Sequence, residues 1–189
     1  MARVAGAVRS LERYARVLMP RKVTLLTATS VDGFIARVDG KLDWVITEAD
    51  AGYQEFYAQV DALFVGRGAL ERILSIGPWP YLGKPTYVFS RRNGACCPKG
   101  ATLIRRDPKR FVAQHKELPG GDLWILGGCG LNSALLQAGL IDHLVLMVYP
   151  AFFGTGIPLF DTRQGRRLNL TSSVTLPSGV LNLRYDVAK

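Results

Sequence analysis

Residues 123–131 read Leu-Trp-Ile-Leu-Gly-Gly-Cys-Gly-Leu, an apolar run that ends abruptly in glycine. Four apolar residues bounded by turn residues read as a buried strand, and residues 131–138 read as a helix stopped by Gly139. A strand that turns through glycines straight into a helix is the joint of an α/β fold. From the residues alone two readings of Gly127-Gly128-Cys129-Gly130 are open. The glycines let backbone N–H groups approach a phosphate at a helix N-terminus, or they serve only the positive φ of a tight turn. The run is not a P-loop, which needs Gly-Lys-Ser/Thr, and Ser133 stands where a dinucleotide fingerprint has its third glycine.

Working outward, the same alternation recurs. Residues 23–29 are apolar and β-branched, and Val31-Asp32-Gly33 supplies a turn before Phe34-Ile35-Ala36. Thr47-Glu48-Ala49-Asp50 has the form of a helix start, with the helix running to about residue 60. Residues 63–65 form a short buried strand that leads through Gly66-Arg67-Gly68 into a helix to about residue 74. Residues 86–90 and 102–105 are further strands, and Pro108 opens a helix at its first position. Residues 143–149 read as a central strand, and 169–176 with 180–187, around Pro177-Ser178-Gly179, as a terminal hairpin. The expectation is one α/β domain over residues 22–189, its sheet mostly parallel with an antiparallel end, behind an N-terminal extension of residues 1–21.

Among 189 residues, 24 Lys and Arg face 15 Asp and Glu, a net charge of +9. The excess is local. Residues 1–20 hold four Arg and one Glu, and residues 91–110 hold seven Lys or Arg and one Asp, while the rest is neutral. Two patches argue for one anionic small ligand and a special N-terminus, and against a nucleic-acid coat. Three cysteines, two of them adjacent, make no disulfide framework, so a cytoplasmic setting is expected. Residues 123–141 and 144–160 are uncharged, but internal glycines, prolines and amides disqualify them as membrane spans. The Arg-rich opening segment also fits organelle targeting in a eukaryotic source.

Arg67 follows one strand, Ser90-Arg91-Arg92 the next and Arg105-Arg106 the one beyond. With those strands adjacent, the basic groups collect at the carboxyl ends, where open α/β sheets bind ligands. Arginine forks with a serine hydroxyl suit a 2′-phosphate, and with the glycine turn they favour NADPH. Singly, each of these arginines also reads as a solvated strand-end charge. Glu48 and Asp50 lie close beyond Trp44, where aromatic neighbours raise a carboxyl's pKa, although first-turn acids also complement a helix dipole. His115 and His143 are the only histidines, and no metal-ligand spacing is present.

In order and spacing, several motifs resemble the dihydrofolate-reductase-like superfamily, in particular the C-terminal reductase domain of the bifunctional riboflavin-biosynthesis deaminase-reductase and its stand-alone relatives. They are Thr29-Ser30-Val31-Asp32-Gly33-Phe34-Ile35-Ala36, Gly40-Lys41-Leu42-Asp43-Trp44, Val65-Gly66-Arg67 with Glu71, and Val88-Phe89-Ser90-Arg91. Ile125-Leu126-Gly127-Gly128, the run from Leu135 to Asp142, and Pro150 through Gly154-Thr155-Gly156-Ile157-Pro158-Leu159-Phe160 complete the set.

That resemblance implies a central sheet of about eight strands, a homodimer, and hydride transfer from NADPH to a dihydrofolate-like or ribosylamino-pyrimidinone-like heterocycle. Arg67, Ser90 and Arg91 would hold the adenosine 2′-phosphate, Gly127, Gly128, Cys129, Gly130 and Leu131 the pyrophosphate, and Gly66 is a further cofactor-binding residue. Ala36 would lie along the nicotinamide. Asp50, Glu48 and Asp32 are the candidate acids of the catalytic step, and Trp44, Tyr53, Phe56 and Tyr57, with Trp79, the candidate substrate wall. Two positions depart from the pattern: Ala69 replaces a Thr, and His143 replaces an acid. The first leaves room for a second expectation, a catalytically silent NADPH-binding module.

Overall fold

A computed structural model describes residues 20–45, 52–92 and 97–189. Ten strands and four helices follow in the order β1 (Val23–Ser30), β2 (Phe34–Ala36), α1 (Tyr53–Gln59), β3 (Val60–Gly66), α2 (Arg67–Ile76), β4 (Thr86–Phe89) and β5 (Ala101–Ile104). Then come α3 (Pro108–Lys116), β6 (Asp122–Gly127), α4 (Cys129–Gln137), β7 (His143–Tyr149), β8 (Ile157–Pro158), β9 (Leu168–Thr175) and β10 (Leu181–Val187). Eight strands form one sheet in the order β5-β4-β3-β6-β1-β7-β10-β9, and β2 and β8 form a separate pair. The first six neighbours are parallel, and β10 runs antiparallel to both β7 and β9.

Alternation along the strands sorts the core into two faces. Val23 and Leu25 of β1, Phe64 of β3 and Ile125 of β6 point toward α3 and α4, where Val112, Leu131 and Leu135 cover them. Leu63 and Val65 of β3, Val88 of β4 and Trp124 of β6 point toward α1 and α2. A third cluster, Trp44, Tyr149 and Val180, closes the carboxyl end of β7. At the amino edge, Asp142 is 5% exposed and accepts from the Val23 N–H at 2.9 Å and from Lys116. Burial pushes its carboxyl up, but the Lys116 and Val23 donors and the charges of Lys116 and Lys189 outweigh that and hold it below the usual carboxylate range.

The switch in winding positions the site. From β3 the chain passes through α2 on one face to β4, and from β6 it passes through α4 on the other face to β7. β3 and β6 are hydrogen-bonded neighbours, with Val65 opposite Gly127. Their chains therefore leave the sheet in opposite directions and open a crevice at the carboxyl edge.

Some sequence expectations shift. Residues 46–51 lie outside the described residues, and with them Thr47, Glu48 and Asp50; α1 begins behind Gly52, which sits at φ 78°. Residues 1–19 lie outside as well. The two-residue strand β8 is too short for the sequence to display a periodicity. Among the described residues no helix is long and apolar enough to cross a membrane.

Candidate active site at the carboxyl edge

Two helix N-termini flank the crevice. Gly66 ends β3 in extended conformation ahead of α2, and Gly128, at φ 109°, precedes α4. A Cβ on Gly66 would lie 3.3 Å from the Gly127 carbonyl oxygen, so the two turns pack backbone on backbone. The glycines here do both things that the sequence left open: they take positive φ at Gly127 and Gly128, and they bring two sets of unpaired helix N–H groups to one place. Burial pushes the Cys129 thiol up, despite hydrogen bonds with Ser133 and Asp161, so it stays neutral and adds no negative charge to the cradle.

A cleft of about 530 Å³ runs from this cradle across the ends of β4 and β5. Gly66, Arg67, Ser90, Arg91, Gly128, Cys129, Gly130 and Leu131 line it, as do Arg92, Arg105 and Arg106. Arg67 Nη1 donates to both carboxylate oxygens of Glu71, at 2.7 and 2.8 Å. By contrast Arg91, Arg92, Arg105 and Arg106 have no acidic partner among the described residues. Ser90 is 7% exposed, and its hydroxyl accepts from the Arg92 N–H at 3.1 Å, which turns the chain so that the basic pair faces the cleft. Like charges crowded on one wall repel, and a bound polyanion relieves that repulsion.

The small sheet closes the other end. Ala36 is opposite Ile157, which lines the cleft, and Leu159 N–H donates to the Gly33 carbonyl at 2.9 Å. A Cβ on Gly156 would fall 2.6 Å from the Ala36 carbonyl oxygen, so only glycine lets β8 come this close. Asp32 accepts from the Ser30 hydroxyl at 2.6 Å, the Gly154 N–H at 2.7 Å and the Phe153 N–H at 3.2 Å. Desolvation pushes its carboxyl up, but these donors and its own N–H together hold it below the usual range. These bonds make Asp32, one of the expected acids of the catalytic step, a clamp on the 153–154 loop.

The aromatic wall also separates into two. Trp44 packs edge-on against Tyr149 and Phe153, each 5.2 Å away, and its buried indole N–H has no acceptor among the described residues. Tyr53, Phe56 and Tyr57 lie on Trp124 at 6.0, 5.3 and 6.2 Å, with Trp79 reaching the same group through Tyr81. Burial, with the neighbouring Tyr57, pushes Tyr53 up to about 12. These three rings fasten α1 to the sheet, so among the described residues they do not form one wall with Trp44. Gly127 and Ala36 are not among the lining residues but adjoin two that are, Gly128 in sequence and Ile157 across the β2/β8 pair.

Arg72 and Ile157 line the cleft without having been singled out. Arg72 Nη1 donates to the Gly68 carbonyl at 2.8 Å, and a Cβ on Gly40 would fall 2.8 Å from its Nε. It thus lies between α2 and the 39–41 loop, a contact that no local pattern signals.

The family model of the RibD C-terminal domain matches residues 21–182, which span the glycine cradle, the strand-end arginines and the β2/β8 platform. The chain belongs to the RibD C-terminal domain family. It is 36% identical over 146 residues to the uncharacterized protein YwjB of Bacillus subtilis (strain 168), covering 75% of this chain and 84% of that one. The RibD riboflavin biosynthesis protein of Corynebacterium ammoniagenes is 28% identical over 163 residues, and the match spans 76% of this chain but only 48% of that protein. Among solved structures, a Shewanella sp. PV-4 protein named for riboflavin biosynthesis superposes with a TM-score of 0.75 at 27% identity, covering 90% of this chain and 100% of that one. Dihydrofolate reductase from Enterococcus faecalis, solved with NADP(H), shares the fold at a TM-score of 0.65 and 17% identity, over 89% of this chain and 97% of that one. The dihydrofolate-reductase-like fold expected from the motifs is thus the fold of the RibD C-terminal domain chain described here.

Proposed function

We propose that this RibD C-terminal domain protein is an NADPH-dependent reductase acting on a small heterocycle of the dihydrofolate or ribosylamino-pyrimidinone type. One observation carries the reading: the strand-end arginines Arg91, Arg92, Arg105 and Arg106, none with an acidic partner among the described residues, share a cleft of about 530 Å³ with the glycine cradle at the winding switch. The fit to NADPH is chemical. Helix N-termini at Arg67 and Cys129 suit a pyrophosphate, and Ser90 with Arg91 and Arg67 suits a 2′-phosphate that NADH lacks. When bound, the cofactor supplies the hydride. The chain binds and orients it: the arginines hold one end, and the β2/β8 platform, clamped by Asp32, shapes the other.

The experiment is calorimetric titration with NADPH and NADH at low phosphate. NADPH at least about tenfold tighter, roughly 1.4 kcal/mol, supports the site; binding of neither nucleotide overturns the reading. A silent NADPH-binding module is the second reading, favoured by Ala69 in place of a hydroxyl and by the engagement of Asp32 with the Ser30 hydroxyl and the Phe153 and Gly154 N–H groups. Nucleotide binding without oxidation across a reductase panel would establish it.

We also propose a cytoplasmic homodimer. The cysteine usage supports the compartment. Edge strand β9 carries no charge over Leu168–Thr175, and Leu170 and Val174 are 57% and 50% exposed, so it lacks the usual protection of an unpaired edge.

A further inference from the structure

We propose that Asn132 is a positioning residue that fastens the glycine-turn helix α4 to the β2/β8 platform and so sets the fit of the nicotinamide end of the cofactor. The inference rests on the NADPH reading above and adds a residue that neither the motifs nor the cleft lining names.

Asn132 is 0% exposed and lies directly after Leu131 in α4. Its Nδ2 donates to the Leu159 carbonyl at 3.1 Å. The Leu159 N–H in turn donates to the Gly33 carbonyl at 2.9 Å, at the turn into β2. One residue, Leu159, therefore links the helix that cradles the pyrophosphate to the platform at the far end of the cleft. Other ties, including the Cys129–Asp161 bond and that of Arg166 to the Gln137 carbonyl at 3.1 Å, join α4 to the residues that follow Leu159, but none of them reaches Leu159 itself. Asp161 N–H donates to Ser133 Oγ at 2.8 Å, and the exposed Gln137 donates to Thr162 Oγ1 at 2.9 Å.

The amide is expensive where it stands. Leu131, Leu135 and Leu136 surround it in sequence and are buried core, and its Oδ1 has no partner among the described residues. A leucine, which has the same branched skeleton of four heavy atoms, would avoid that unsatisfied acceptor. What a leucine cannot do is hold Leu159. The hydrogen bond, and not packing, is the physical reason for an asparagine here.

The test compares two probes on the full chain by calorimetry: NADPH, and 2′-phospho-ADP-ribose, which keeps both phosphate groups and lacks the nicotinamide. In Asn132→Leu the expected result is an NADPH affinity reduced by about tenfold with the truncated probe changed by less than about twofold, as for one lost buried hydrogen bond felt at one end. Gln137→Leu, which cuts the outer tie, should change neither. Equal weakening of both probes, or no change in a folded Asn132→Leu protein, overturns the proposal. Should that variant fail to fold, hydrogen exchange on the unmodified protein decides: NADPH, but not the truncated probe, should protect amides 33–36 and 157–160, and equal protection by both overturns it. Failure of the unmodified protein to bind either probe would instead overturn the NADPH reading itself.

Discussion

Neutralising Glu71 as Glu71→Gln should tighten NADPH and leave NADH unchanged. Arg67 enters the cleft already engaged: Nη1 bonds both Glu71 oxygens at 2.7 and 2.8 Å, with side-chain exposures of 30% and 54%. An exposed pair one helical turn apart is worth only about 0.5 kcal/mol, against about 1.5–3 kcal/mol for a charge-assisted bond between guanidinium and phosphate. A 2′-phosphate therefore wins Arg67 from Glu71, but at the cost of that pair and beside a free carboxylate. Removing the carboxylate's charge should return about 0.5–1 kcal/mol, roughly a two- to fivefold gain in NADPH affinity. The reverse change, Arg67→Met, should lose about 1.5 kcal/mol, roughly tenfold, again for NADPH alone. Calorimetry with both nucleotides at two salt concentrations measures these differences, and the NADPH-specific part should shrink as salt rises. Weaker NADPH binding in Glu71→Gln would show that the pair presents Arg67 to the ligand instead of competing for it. Equal losses for NADPH and NADH in Arg67→Met would refute the 2′-phosphate site.

Gly156→Ala forces a Cβ to 2.6 Å from the Ala36 carbonyl oxygen; the expected cost is about 1–3 kcal/mol, seen as a drop of several degrees in thermal unfolding, and an unchanged melting point would contradict the close approach. Asp142→Asn leaves Lys116 without its buried partner and should cost about 3–5 kcal/mol in urea unfolding at neutral pH. Because the folded Asp142 carboxyl is held below its unfolded value, its contribution is present above about pH 4 and is lost as pH falls through the folded value; the variant should have a flatter acid limb, and an identical limb would discount the pair. With a substrate in hand, Asp32→Asn should slow turnover by loosening the 153–154 loop while the shape of the pH profile is kept, whereas loss of a profile limb would restore Asp32 as a catalytic group. Leu170→Glu on β9 should yield monomers in sedimentation, and an unchanged oligomeric state would place the contact elsewhere.

Local pattern carried a good part of this molecule. The apolar run 123–126 with its glycines needs nothing distant to be read as strand, turn and helix, because periodicity and φ preference act within a few residues. Arg67, Ser90 and Arg91 were legible for a related reason: each follows a strand directly, and parallel strands put such residues at one edge. What local pattern does not show depends on partners far along the chain. Asp32 reads as a spare acid until Phe153 and Gly154, 121 and 122 residues away, donate to it. Tyr53, Phe56 and Tyr57 read as neighbours of Trp44, yet Trp124 claims them and Tyr149 takes Trp44.

The sequence by itself determined the α/β alternation, the parallel sheet with its antiparallel end, and the basic carboxyl edge, because strand, turn and helix preferences and the side-chain period are short-range properties. Tertiary structure alone decided that β3 and β6 are neighbours whose helices leave in opposite directions, which opens the crevice. It also decided that Asp32 meets the 153–154 loop and that Asn132 reaches Leu159. Those depend on strand order and on polar partners 27 and 122 residues apart, whose geometry exists only once the chain has packed.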